Sequence, residues 1–203
     1  MTCFSPGTRI ATPRGEIPVE ELAVGDAVIS RDNGIQTIRW MGTKGLKGVD
    51  LTRERHLRPV RIQKGALGGG LPERDVLLSP NHRVLVASDQ TALYFDEKEV
   101  LVAAKHLTGL VGVDIVDAPW ISYICILFDD HELVLSDGSW TECFQPGVAI
   151  LRGTGHAQRA ELVELFPELH ARHGIDSATA NPCSNRLSNS RQKACQVECH
   201  DPG

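Results

Sequence analysis

Between residues 8 and 150 the apolar positions fall in short runs, each closed by Gly, Pro, Asn or Asp, a pattern that predicts β-strands joined by turns. Thr8 to Thr12 ends at Pro13-Arg14-Gly15, and Glu16 to Val19 resumes as an extended segment with Pro18 marking an edge. Glu20-Glu21-Leu22 with Val24-Gly25-Asp26 predicts one helical turn closed by glycine. Ala27 to Ser30 and Ile35 to Met41 flank Asp32-Asn33-Gly34, a hairpin signal. Ile35 to Met41 alternates with mixed polarity on both faces, as at an edge or in a strongly twisted strand. Further strands are expected at Arg58 to Ile62, Val76 to Leu78, Arg83 to Ala87, Leu93 to Phe95 and Glu99 to Ala103. Gly112 to Val116, Ser122 to Phe128 and Glu132 to Leu135 complete the series, and Asp137-Gly138 is a further turn. No long helical pattern intervenes, so the expected fold class is all-β.

The character changes after Pro146-Gly147. Leu162, Val163, Leu165, Phe166 and Leu169 recur at helical spacing, interrupted by Pro167. From Ser177 onward Ser, Asn, Gln and Arg dominate, the composition of a disordered tail. The expected organisation is a β domain over 1–147, a helical extension over 148–176 and a polar tail over 177–203.

Composition narrows the function classes. The chain has 203 residues, 41% of them hydrophobic, enough for one core plus an appendage. A net charge of −5 with no Lys/Arg run offers no footprint for nucleic acid. No apolar stretch approaches the roughly 18 residues that span a bilayer, and no basic-then-apolar leader opens the chain. The expectation is a cytoplasmic location, or export without a cleavable leader, and no membrane partner. Gly65 to Pro72 is glycine-rich, but no Gly-Lys-Ser/Thr follows, so it reads as a flexible connection and not a phosphate cradle. Cys3, Cys125 and Cys143 lie in the β region and fit reduced, individually placed thiols. Cys183, Cys195, Cys199 and His200 lie in the tail, outside the usual zinc-ligand spacings, so neither metal nor cofactor is expected.

The candidate chemistry centres on Cys3 in Cys3-Phe4-Ser5-Pro6-Gly7-Thr8. Its thiolate could attack the Thr2 carbonyl and turn that amide into a thioester. Such a step needs a proton for the leaving nitrogen and stabilisation of the oxyanion. The alternative is a small buried hydrophobe. Ser79-Pro80-Asn81-His82 sits between two strands, where a tight turn can aim Ser79 at the scissile region and His82 at the amide nitrogen; the same residues also make an ordinary turn. His131, after Asp129-Asp130, is a second acid or base, or a surface residue held by neighbouring carboxylates. Cys125 shares a strand face with Tyr123 and Leu127, which suits a buried inert thiol. Glu142 and Cys143 close the β region as possible auxiliary groups.

Several segments together resemble the Hint (Hedgehog/intein) family, in particular bacterial Hint domains outside conventional inteins. They are Cys3 to Ile10, Val19 to Val28, Arg31 to Gly34, Arg58 to Ile62, Gly65 to Gly68, Leu78 to Leu85, Phe128 to Val134 and Thr141 to Gly147. The resemblance implies an intein-like horseshoe of short strands with both domain ends near one cleft. It implies an N-to-S acyl shift at the Thr2-Cys3 bond, with Cys3 as nucleophile and Ser79 and His82 on the family's Thr/Ser-x-x-His element. His131 matches a position near the C-terminal block. The substrate would be the domain's own flanking polypeptide, processed in a single turnover, with a thiol, an amine or water as acceptor.

The chain departs from the family pattern in three places. Splicing inteins end in His-Asn before a nucleophile, whereas here the corresponding end is Thr141-Glu142-Cys143, so cleavage without splicing is expected. Related domains often carry His where this chain has Cys125, which is either an auxiliary thiol close to Cys3 or the mark of a weakened site. Only Met1 and Thr2 precede Cys3, which implies a fragment of a longer protein or a free-standing domain with another role. Two alternatives stay open: an inactive Hint fold serving as a structural or interaction module, and an intermolecular cysteine hydrolase built on Cys3 and His82.

Overall fold

The computed structural model describes residues 2–87 and 99–143. The expected strand at Leu93 to Phe95, the helical extension over 148–176 and the tail with Cys183, Cys195, Cys199 and His200 lie outside the described residues.

Described residues form thirteen strands and very little helix. The largest sheet runs β2-β1-β12-β13-β8-β9, from β1 (Arg9–Thr12), β2 (Gly15–Pro18), β8 (Arg83–Ala87), β9 (Glu99–Ala103), β12 (Glu132–Ser136) and β13 (Ser139–Cys143). The hairpin of β3 (Ala27–Ser30) and β4 (Gly34–Thr37) joins it through β12. A second sheet, β10-β6-β7, contains β6 (Val60–Ile62), β7 (Val76–Leu78) and β10 (Val113–Ile115). The third is a ribbon of β5 (Trp40–Lys47) and β11 (Trp120–Leu127).

The two-residue turn at Asp137-Gly138 has φ of 44° and 79°, the left-handed pair that a tight hairpin needs. The Asp137 side chain is buried there, accepting from the Arg9 backbone N–H at 3.3 Å and from Arg74 at 2.8 Å. Nearby, the buried Glu132 carboxylate accepts from the Ser30 hydroxyl and, at 2.9 Å, from the Asn33 amide, tying the β3–β4 turn to β12. The two buried carboxylates at these corners are paired, as burial requires.

The structure alters the sequence reading in three stretches. The strand expected over Ile35 to Met41 breaks after Thr37, and β5 continues to Lys47. Beyond Met41 its sequence carries Gly and Lys and no apolar run, yet all eight residues pair with β11. At Gly45 a Cβ would lie 3.3 Å from the Trp120 indole nitrogen, so the glycine makes room for that ring. A six-residue helix, α1 (Gly48–Arg53), follows; Asp50 accepts the Lys47 N–H at 2.9 Å, and Leu51 is buried. Strand β13 was hidden by its polarity, because Ser139 and Thr141 face inward and Thr141 bonds Ser136 at 3.0 Å between hydroxyl oxygens.

From Ile121 onward strand β11 is buried on both faces, which explains its apolar run from Tyr123 to Leu127. Ile124 and Ile126 join the main core with Phe4, Ile10, Val60 and Leu78. Ile121, Tyr123, Cys125 and Leu127 point the other way, into a smaller cluster with Cys3, Trp40, Leu51 and Leu57. Phe4 bridges to Leu78 of β7 and to Ile124 of β11, so the segment around it is a short strand between the two smaller sheets. Phe4→Ala should therefore cost about 3–5 kcal/mol, a value typical of a fully buried aromatic, measured as a shift in the urea midpoint. A loss below about 1 kcal/mol would contradict this bridging role.

Candidate functional site

Cys3 and Phe4 are positioned by backbone pairing. Phe4 N–H donates to the Ile124 carbonyl and Ile124 N–H donates to that of Phe4, each at 2.8 Å. On the other side, Cys3 N–H donates to Ser79 Oγ at 3.0 Å, and Ser79 N–H donates to the Cys3 carbonyl at 3.2 Å. Ser5 Oγ also donates to the Leu77 carbonyl at 2.8 Å. Both polar groups of the Cys3 backbone are thus fixed, and the Thr2-Cys3 peptide bond is held away from solvent, with Thr2 also buried.

The Ser79-to-His82 segment forms a turn closed by His82 N–H donating to the Ser79 carbonyl at 2.9 Å, with Pro80 at the position that favours it. The Ala104–His106 turn anchors it: Ala104 N–H donates to the His82 carbonyl and Lys105 N–H to that of Pro80, at 2.8 and 2.9 Å. The anchored turn aims both side chains at Cys3. His82 Nδ1 lies 3.0 Å from the Cys3 carbonyl oxygen, and its ring meets Phe4 edge-on at 4.6 Å.

The geometry changes the expectation for His82. Ser79, not His82, is at the amide nitrogen; His82 grips the carbonyl on the far side of Cys3. A carbonyl can only accept, so Nδ1 carries the ring proton. Nε2 is buried with no hydrogen-bond partner among the described residues, as is the Thr2 hydroxyl. Burial pushes the imidazole down to about 4, against the Cys3 hydrogen bond and the charge of Glu142, which both favour protonation.

A charged cluster stands next to this neutral ring. His131 Nε2 lies 2.7 Å from Glu142 Oε1, and Arg83 reaches the same oxygen at 3.3 Å. The carboxylate that holds His131 is thus Glu142, across the sheet, and not Asp129 or Asp130 beside it. Burial works against charge on both residues of the pair, but their hydrogen bond and mutual attraction win: His131 is raised and Glu142 lowered from their ordinary values. Arg83 was not singled out from sequence; its place directly after His82 on β8 was the available signal.

The cysteines correct the expectation of separate reduced thiols. Cys3 and Cys125 form a disulfide, with Cα atoms 4.4 Å apart. Cys143 is a free, buried thiol in the main core, and burial pushes it well up, with Glu142 and Glu132 adding to the effect. Among the described residues no three His, Cys, Asp or Glu side chains gather to hold a metal ion.

The family model described as the Hint domain matches residues 2–148. The chain therefore belongs to the Hint domain family, which makes it in general terms an intein-like, self-processing type of domain. Solved structures similar to it include a bacterial intein-like domain from Clostridium thermocellum, at 15% identity and a TM-score of 0.44, covering 71% of this chain and 99% of that one. The TvoVMA intein is 13% identical with a TM-score of 0.47, covering 70% and 96%. The gp41-1 intein is 13% identical with a TM-score of 0.40, covering 71% and 99%. No curated protein matches the sequence.

The neutral His82 has a pH consequence. The unfolded chain takes up this proton near 6.5 and the native state only near 4, so protonation favours unfolding. Native stability should fall as pH drops from 6.5 to about 4, by on the order of 3 kcal/mol from this residue. Urea unfolding of wild type and His82→Gln across that window checks it. The wild type should lose more stability than the variant; equal losses would mean that the imidazole is not held neutral.

Proposed function

We propose that this domain cleaves the peptide bond before Cys3 by an N-to-S acyl shift, without splicing. The observation that supports this most is the pair of hydrogen bonds through which Ser79 brackets Cys3, with Oγ 3.0 Å from the amide nitrogen. As a free thiolate, Cys3 Sγ attacks the Thr2 carbonyl carbon. A C–S bond forms, the Thr2 C–N bond breaks, and the nitrogen leaves as an amine after gaining a proton. Ser79 is the hydroxyl in place to deliver that proton once its rotor turns from accepting to donating. His82 holds the Cys3 carbonyl on the opposite side, so the residue cannot swing away as the amide nitrogen becomes tetrahedral. The resulting thioester is released by water, an amine or a thiol.

Splicing would need an Asn side chain to cyclise at the C-terminal junction. Thr141-Glu142-Cys143 supplies none, and Glu142 is already engaged by His131 and Arg83. The outcome of the chemistry is therefore N-terminal cleavage alone.

A reporter fused before Met1, reduced and treated with hydroxylamine, tests the reaction. Wild type should release the reporter as its hydroxamate, and Cys3→Ala should release none. Ser79→Ala should be slower by about tenfold or more, the loss of one well-placed hydrogen bond. His82→Ala should be slower by on the order of a hundredfold, the loss expected when a reacting group is left misplaced. An intact wild-type fusion that still melts cooperatively would instead make the domain a structural module, and equal release from Cys3→Ala would exclude Cys3 as the nucleophile.

A further inference from the structure

We propose that Cys125 is a redox lock on Cys3, so that the domain processes its flanking chain only after reduction. This rests on the reading of Cys3 as the nucleophile. The lock follows from strand register. Phe4 and Ile124 exchange both backbone hydrogen bonds, which makes them a hydrogen-bonded antiparallel pair. The next pair outward, Cys3 opposite Cys125, must then be a non-hydrogen-bonded one, where Cα atoms stand about 4.5 Å apart and side chains come closest. The observed separation is 4.4 Å. Alternation also turns both side chains into the same small cluster beneath the β5–β11 ribbon. Two sulfurs are thus brought together by hydrogen bonds that do not involve them.

Cys143 shows the selectivity of this arrangement. It is as buried as the other two, yet it belongs to the main core and stays free. Cys125 makes no other use of a thiol, since its neighbours in the cluster are Trp40, Ile121, Tyr123 and Leu127. An apolar side chain would fill the position equally well. The feature that singles out a cysteine there is the one directly across from it.

In the disulfide, Cys3 Sγ has no thiolate to offer the Thr2 carbonyl. A dithiol reductant attacks one sulfur of the bridge, forms a mixed disulfide and expels the other as a thiolate; its second thiol then attacks its own sulfur in that mixed disulfide, breaking the S–S bond and expelling the remaining cysteine. Two electrons and two protons pass from the reductant, leaving Cys3 and Cys125 as thiols and the reductant as a cyclic disulfide. Cys3 can then attack. Re-oxidation of the pair before attack returns the domain to the locked state.

The test uses the full chain with a reporter before Met1, purified after mild oxidation. Mass spectrometry of a digest should find the Cys3 and Cys125 peptides joined, and Cys143 open to alkylation after unfolding. The fusion is then held in dithiothreitol buffers of graded reduced-to-oxidised ratio, with hydroxylamine present throughout. Release from wild type should rise by about a hundredfold or more from oxidised to reduced buffer, in step with the loss of the bridge. Cys125→Ala should release the reporter at one rate across the whole series. Wild-type release that ignores the ratio, or Cys3 and Cys125 both alkylated after oxidation, would overturn the lock while leaving the processing reaction standing. No release from reduced wild type would overturn the processing reaction and the lock with it, whereas release from reduced wild type but none from a folded Cys125→Ala would overturn the lock alone. Should Cys125→Ala fail to melt cooperatively, Cys125→Ser replaces it. The wild-type comparison of bridge fraction with release rate decides the matter independently of either variant.

Discussion

The reciprocal hydrogen bonds between Phe4 and Ile124 are the constraint on which the site depends. They insert the start of the chain as a strand between β7 and β11, each of which belongs to a different small sheet. Alternation then sends Phe4 into the main core and Cys3 into the smaller cluster. A slip by one residue would exchange these two side chains, placing an aromatic ring in the thiol's space and removing Cys3 from Ser79. The packing of Phe4 is therefore what guards the register of Cys3. Chemistry and stability meet in neighbouring residues because a strand can place one of them only by burying the other.

Much of the fold was legible in the sequence because turns punctuate it. Asp32-Asn33-Gly34 and Asp137-Gly138 both join paired strands, and the apolar runs at Val76 to Leu78, Arg83 to Ala87 and Glu99 to Ala103 form strands as read. The strands without an assigned element in the sequence, β5 beyond Met41 and β13, lack the apolar run that marks the others. Strand β5 carries Gly and Lys because its partner β11 supplies the apolar surface, and β13 buries serine and threonine hydroxyls near one another. The short helix α1 lies between these readings: its one buried side chain, Leu51, is too little to generate a helical period.

The site was legible in its residue types and less so in its connections. Cys3, Ser79 and His82 do come together, because an Ser-Pro-Asn-His turn anchored by the Ala104–His106 segment aims two side chains one way. Which atom each would meet was not readable, since it depends on the strand register between residues more than seventy positions apart. The same holds for the Cys3–Cys125 bridge, whose partners are separated by 122 positions. Sequence could place Cys125 on the face of Tyr123 and Leu127, and it does lie there, but only the pairing of Phe4 with Ile124 says what stands opposite.

The electrostatics of the site divide along the same lines. His82 is stripped of charge by burial, while a short distance along β8 Arg83 joins His131 and Glu142 in a charged group. A buried cation next to the Thr2-Cys3 amide would have to find a carboxylate, and the nearest, Glu142, already serves two partners. A neutral imidazole needs only the Cys3 carbonyl on Nδ1, and Nε2 is buried with no hydrogen-bond partner among the described residues. As the amide nitrogen pyramidalises, any shift of the Cys3 carbonyl moves the ring with it, since Phe4 packs edge-on against the imidazole and joins it to the same backbone. In the proposed reaction His82 would act through position before charge, and the Ser79 hydroxyl would be the group left to handle the proton.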